Sequence, residues 1–91
     1  MFTEVYCVVT GKVQQVAYRD FAQRMAKTHA LTGWVKNKED GTVEVLAQGY
    51  PDDLKLFIEV LNECSSLSRV DSVGVDWRTT SDQLDDFIVI F

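Results

Sequence analysis

Few side chains in this chain of 91 residues could do chemistry. The single histidine, His29, and the two cysteines, Cys7 and Cys64, are scattered. No HxxxH, CxxC or carboxylate cluster stands at ligand spacing, so neither a metal nor a nucleophile–base pair is expected. An arginine draws the eye instead. In TGKVQQVAYRDF, residues 10 to 21, a strand-like run stops at Gly11, a short polar loop follows, and Arg19 stands where a helical pattern begins. A planar guanidinium stays charged at any working pH and suits bidentate contact with phosphate. Backbone N–H groups of the loop, joined to the unpaired donors of a helix N-terminus, would complete an anion site. As a mere surface residue, an arginine here would oppose the helix dipole.

The elements around that loop follow from periodicity. TEVYCVVT alternates, with Val5, Cys7 and Val9 assigned to the core face. From Arg19 to His29 the positions Ala22, Met25, Ala26 and His29 form the stripe of an amphipathic helix. LTGWVKNKEDGTVEVLAQG gives two extended runs around Asp40-Gly41, a dipeptide suited to the positive φ of tight hairpin turns. Pro51 opens a second helix, Asp52 and Asp53 complement its dipole, and Leu54, Phe57, Ile58 and Leu61 make its apolar stripe down to Cys64. RVDSVGVDW reads as a fourth strand with Val73, Val75 and Trp77 inward, and FIVIF as a fifth strand or an edge extension. The order βαββαβ predicts a single α+β domain over residues 1–91, a ferredoxin-like plait with two helices on one face of an antiparallel sheet.

Composition limits the partners. A chain of this length, 46% hydrophobic, suits one core. No apolar run reaches the roughly 20 residues of a membrane span, and MFTE lacks the pattern of a signal peptide. Unpaired cysteines fit a reducing compartment, so a cytoplasmic location is expected, with no membrane partner and, since nothing demands more, a monomer. Residues 1–38 hold six basic against two acidic side chains, a net of +4, whereas residues 39–91 hold three against twelve, a net of −9. The acidic whole argues against nucleic acid, and the basic first third could focus a small anion.

In a split βαβ unit the first two strands run in the same direction, with the first helix returning between them. The end of strand 1, the start of helix 1 and the end of strand 2 therefore meet at one edge of the sheet. Asn37 ends strand 2 and shares parity with Val35, so topology brings it to Arg19. The anion loop, with the backbone of Gln14, Gln15, Val16, Ala17 and Tyr18, lies between them.

These segments carry a resemblance. G-x-VQ-x-V-x-[FY]-R at Gly11, Val13, Gln14, Val16, Tyr18 and Arg19, L-x-GWVKN at Leu31 and Gly33 to Asn37, and DG-x-VEV-x-A-x-G from Asp40 to Gly49 resemble the acylphosphatase family over essentially the whole chain. The resemblance implies hydrolysis of acyl phosphates to carboxylate and inorganic phosphate, with no metal and no cofactor, and with phosphate as product and inhibitor. It implies that Arg19 and the loop N–H groups of residues 14–18 bind the phosphoryl group and that Asn37 orients the attacking water. The chain departs from the family pattern at Gln15, where glycine is expected in the loop, and at Ala30, where glycine is expected at a helix end. Ala30 is read as a mild change. Gln15 leaves open a catalytically weak anion-binding module of the same fold. An RNA-binding plait, and a detached relative of the acylphosphatase-like domain of hydrogenase-maturation proteins, fit the charge and the length less well.

Overall fold

The computed structural model describes residues 2–14, 16–63, 69–80 and 82–90. The chain runs β1 (Thr3–Lys12), α1 (Val16–Thr28), β2 (Thr32–Asn37), β3 (Val43–Gly49), α2 (Pro51–Glu63), β4 (Arg69–Arg78) and β5 (Phe87–Ile90). The five strands form one sheet in the order β4-β1-β3-β2-β5. The plait is as expected from the sequence, with one amendment to the antiparallel sheet. β5 joins β2 in parallel, Val35 opposite Val89 and Lys36 opposite Ile90, so the sheet is mixed.

Alternation decides the core. Val5, Cys7 and Val9 of β1 face Ala47, Val45 and Val43 of β3 in register. Both sets are fully buried, together with Ala22 and Ala26 of α1 and Leu54, Phe57 and Leu61 of α2. The helices thus cover one face of the sheet. Burial raises the Cys7 thiol to a pKa of about 12, so it remains a protonated packing group.

β4 corrects the sequence reading. Val75 and Trp77 lie opposite Cys7 and Val5 on the helix face, as their parity requires, yet they are 37% and 44% exposed. Of that inward set only Val73, with Val70, packs against the core. The alternation of an edge strand tells which face a residue takes, not how far a helix extends over that face.

Two glycines shape the end of the sheet that matters below. Gly11, at φ +129°, sits where the β1–β4 register shifts, and a Cβ there would lie 2.1 Å from the Arg69 carbonyl oxygen. The resulting bulge bends β1 as it passes into the loop. Gly41, at φ +92°, ends the β2–β3 turn. Its N–H donates to the Lys38 carbonyl at 3.3 Å while the Lys38 N–H donates to Thr42 at 2.9 Å. Only Gly41 of the Asp40-Gly41 pair takes positive φ; Asp40 instead uses its carboxylate to accept from the Thr42 N–H and hydroxyl, at 3.1 and 2.6 Å.

At the opposite end of α1, Ala30 is not a mild change. It takes φ +57°, its N–H donating to Lys27 and the Leu31 N–H to Ala26, the paired bonds of a Schellman cap. This left-handed position favours glycine, and alanine there costs about 1 kcal/mol.

Candidate active site

The helix begins earlier than its apolar stripe suggests. Val16 opens α1, so Arg19 is its fourth residue and Val16, Ala17, Tyr18 and Arg19 form its first turn. Tyr18 explains the difference, because it packs one turn before Ala22 and is fully buried. Its hydroxyl donates to the Leu61 carbonyl of α2 at 3.2 Å. Sequence reading used only the backbone of Tyr18; its side chain anchors the first turn of α1 against α2. The first turn carries no acidic residue, so its N–H groups and dipole keep a positive character.

Arg19 is only 7% exposed. Its Nη1 donates to the carbonyl of Ile90, the last residue of β5, at 3.5 Å. Ile90 is the register partner of Lys36, the residue before Asn37. The guanidinium therefore lies at the C-terminal ends of the parallel strands β2 and β5, beside the end of β2 where Asn37 sits. β5 itself is docked by Gln23, whose Nε2 donates to the Phe87 carbonyl at 3.0 Å. The sequence left this strand as a possible edge extension, and its contact with Arg19 has no sequence signal beyond the β-branched run FIVI.

Asn37 ends a row of helix-facing residues that runs Val73, Val9, Val43 across the sheet. Its Nδ2 donates to the Gln14 carbonyl at 3.4 Å. Its Oδ1 is buried and has no hydrogen-bond partner among the described residues. The Gln14 side chain in turn donates to the Lys38 and Thr42 carbonyls, at 2.5 and 3.0 Å. Loop, hairpin turn and strand end are thus tied at one point.

Of the residues expected at the site, Gln14, Val16, Ala17, Tyr18, Arg19 and Asn37 come together at this edge. Gln15 lies outside the described residues, as does Cys64. Beside Asn37 an open depression of about 440 Å³ is lined by Lys36, Lys38, Glu39, Asp40 and Glu44. Among the described residues no group of three or more His, Cys, Asp or Glu side chains could hold a metal ion. No described helix is long and apolar enough to cross a membrane.

The arrangement can therefore hold an anion by a buried guanidinium and helix N–H groups, with a carboxamide oxygen next to it. The family model for acylphosphatase matches residues 5–89. The chain belongs to the acylphosphatase family. It is 41% identical over 81 residues to an acylphosphatase of Salinibacter ruber, an alignment covering 89% of this chain and 85% of that protein. Its fold superposes on the acylphosphatase from Bacillus subtilis with a TM-score of 0.94 at 34% identity over the whole of both chains. An acylphosphatase from Coxiella burnetii gives 0.90 at 35% identity, over 98% of this chain and 93% of that one. Family membership makes this chain an enzyme of the acylphosphatase type.

Proposed function

We propose that this chain hydrolyses the carboxyl–phosphate bond of small acyl phosphates, using Arg19 and the N–H groups of residues 14–18 to hold the phosphoryl group and Asn37 to orient water. The observation that carries this reading is the buried Oδ1 of Asn37, without a partner among the described residues, at the strand end beside Arg19. A carboxamide oxygen accepts a hydrogen bond from water and aims the water's lone pair without removing its proton.

The chemistry asks for little more. The water oxygen forms a bond to phosphorus as the phosphorus–acyl oxygen bond breaks, and that electron pair leaves with the carboxylate. A carboxylate is a weak base and departs without a proton, so no general acid is needed. The water proton passes to a phosphoryl oxygen, so no histidine or carboxylate base is needed. The protein's part is to position the reactants and to stabilise charge on the equatorial oxygens, which a fork of guanidinium donors and a helix N-terminus can do. Neither a metal nor a cofactor enters any step. Inorganic phosphate, as product, should compete for the same clamp. The enzyme is taken to act as a monomer in the cytoplasm, and the unpaired, buried Cys7 thiol fits a reducing compartment.

The test is turnover of benzoyl phosphate with and without EDTA, by the wild type and by Arg19→Ala. Turnover indifferent to EDTA, and a loss of ~10² to 10³ in rate with Arg19→Ala, are expected. An Arg19→Ala variant keeping more than half of the wild-type kcat/KM would refute the assignment. Phosphate binding without turnover in the wild type would mark a binding module instead.

A further inference from the structure

We infer that Gln14 is a positioning residue for Asn37, acting through both its backbone carbonyl and its side-chain amide. This rests on the functional reading above. A carboxamide has two nearly isosteric ends, and only its oxygen can accept a hydrogen bond from water. The Gln14 carbonyl can only accept, so it draws the Nδ2 end of Asn37 toward the loop at 3.4 Å. Oδ1 is then left as the end without a protein partner among the described residues. One long hydrogen bond on its own would hold that orientation loosely.

The carbonyl of Gln14 is fixed by its own side chain. Nε2 donates to two acceptors at once, the Lys38 and Thr42 carbonyls at the mouth of the β2–β3 turn. Two converging carbonyls require a group with two donor hydrogens, which an uncharged carboxamide supplies and a carboxylate does not. Lys38 directly follows Asn37, so the ring from Asn37 to the Gln14 carbonyl, along its side chain and back to Lys38 closes on itself. Arg19 stands outside this ring, held by the Ile90 carbonyl of β5 and by its place in α1. Breaking the ring should therefore disturb the water's orientation more than the grip on phosphate, which Arg19 and the N–H groups of the first turn of α1 retain.

The experiment compares Gln14→Ala and Gln14→Glu with wild type, using benzoyl phosphate as substrate and inorganic phosphate as competitive inhibitor. Gln14 is exposed, so both variants should stay folded, with Tm lowered by no more than about 4–8 °C for the lost turn contacts. We expect kcat to fall about tenfold, and further for the glutamate than for the alanine, with the inhibition constant for phosphate rising by a clearly smaller factor. In an Asn37→Ala background, Gln14→Ala should cause no further loss, because a residue acting through Asn37 has nothing left to position. Losses that multiply in the double variant, or a phosphate constant that rises in step with the fall in kcat, would overturn the inference. If the wild type does not turn over benzoyl phosphate, the functional reading fails, and the Asn37 side-chain NH₂ resonances still decide the positioning claim. They should shift and broaden in Gln14→Ala; unchanged resonances would refute it.

Discussion

Among the described residues stand two helices of the same length, 13 residues each, with opposite solutions at their N-termini. α2 neutralises its own. Pro51 stands at its first position, where an N–H would have no helical partner, Asp52 and Asp53 face the dipole, and the Leu54 N–H donates to Tyr50. α1 has no acid in its first turn and places Arg19 there, adding positive charge where the dipole already supplies it. That choice makes α1 a less stable helix and a better host for an anion. The same folding unit, used twice, neutralises its dipole at one end of the sheet and leaves it unopposed at the other, the end where the proposed function puts the phosphoryl group.

Making α1 resemble α2 tests the contrast most severely. Ala17→Asp places a carboxylate in the first turn of α1, so it should raise the inhibition constant for phosphate at least tenfold, by repulsion in the clamp. The same change should stabilise the fold by about 0.3–1 kcal/mol through the dipole. Phosphate titration and thermal melting of one variant thus move in opposite senses; if phosphate affinity is unaffected, the first turn of α1 is not the anion site.

At the other end of α1 the expected effect is smaller and confined to stability. Ala30→Gly should stabilise by up to about 1 kcal/mol, because relief of the left-handed strain exceeds the entropy that glycine adds to the unfolded chain. That corresponds to a rise of about 4–8 °C in Tm, with kcat/KM unchanged. A lower Tm would show that the cap carries no strain.

Removing the acids of α2 is the converse of the first substitution. Asp52→Asn with Asp53→Asn should cost a few tenths of a kcal/mol per site, measured by denaturant unfolding, and leave turnover of benzoyl phosphate as it was. A change in kcat would mean that the two ends of the sheet are coupled.

The smallest effect is expected at the hairpin turn next to the site. The Thr42 hydroxyl, and then its N–H, hold the Asp40 carboxyl below the ordinary aspartate pKa. A folded-state pKa below the unfolded one contributes stability that is present above the unfolded value and lost as pH falls through the folded value. Thr42→Val removes the hydroxyl donor, so an NMR titration should place the Asp40 midpoint closer to its ordinary value, with slightly less stability left to lose in acid. A midpoint that stays put would show that the N–H alone sets it.

Periodicity reached far into this fold because the core faces are contiguous and regular. Val5, Cys7 and Val9 are fully buried, as are Leu54, Phe57 and Leu61 of the α2 stripe, while Ile58 of that stripe is partly buried against the core. Where it failed, the packing partner was remote. α1 starts three residues before its apolar stripe because Tyr18, which periodicity assigns to the loop, is a core residue whose hydroxyl donates to the Leu61 carbonyl. Val75 and Trp77 alternate correctly but lie on an edge strand where the helices give out.

By itself the sequence determined the order of elements, the hairpin around Gly41, the placing of Arg19 and Asn37 at one sheet edge and the likeness to a family, since each depends on local pattern and on the handedness of a βαβ crossover. Only the tertiary structure decided which atoms hold those two side chains. The Ile90 carbonyl stands 71 residues beyond Arg19 and the Gln14 carbonyl 23 before Asn37. It also decided that Ala30 takes the left-handed conformation at the end of α1. A backbone carbonyl is common to every residue, so its use as an acceptor leaves no mark in the sequence; only the fold says which one is near.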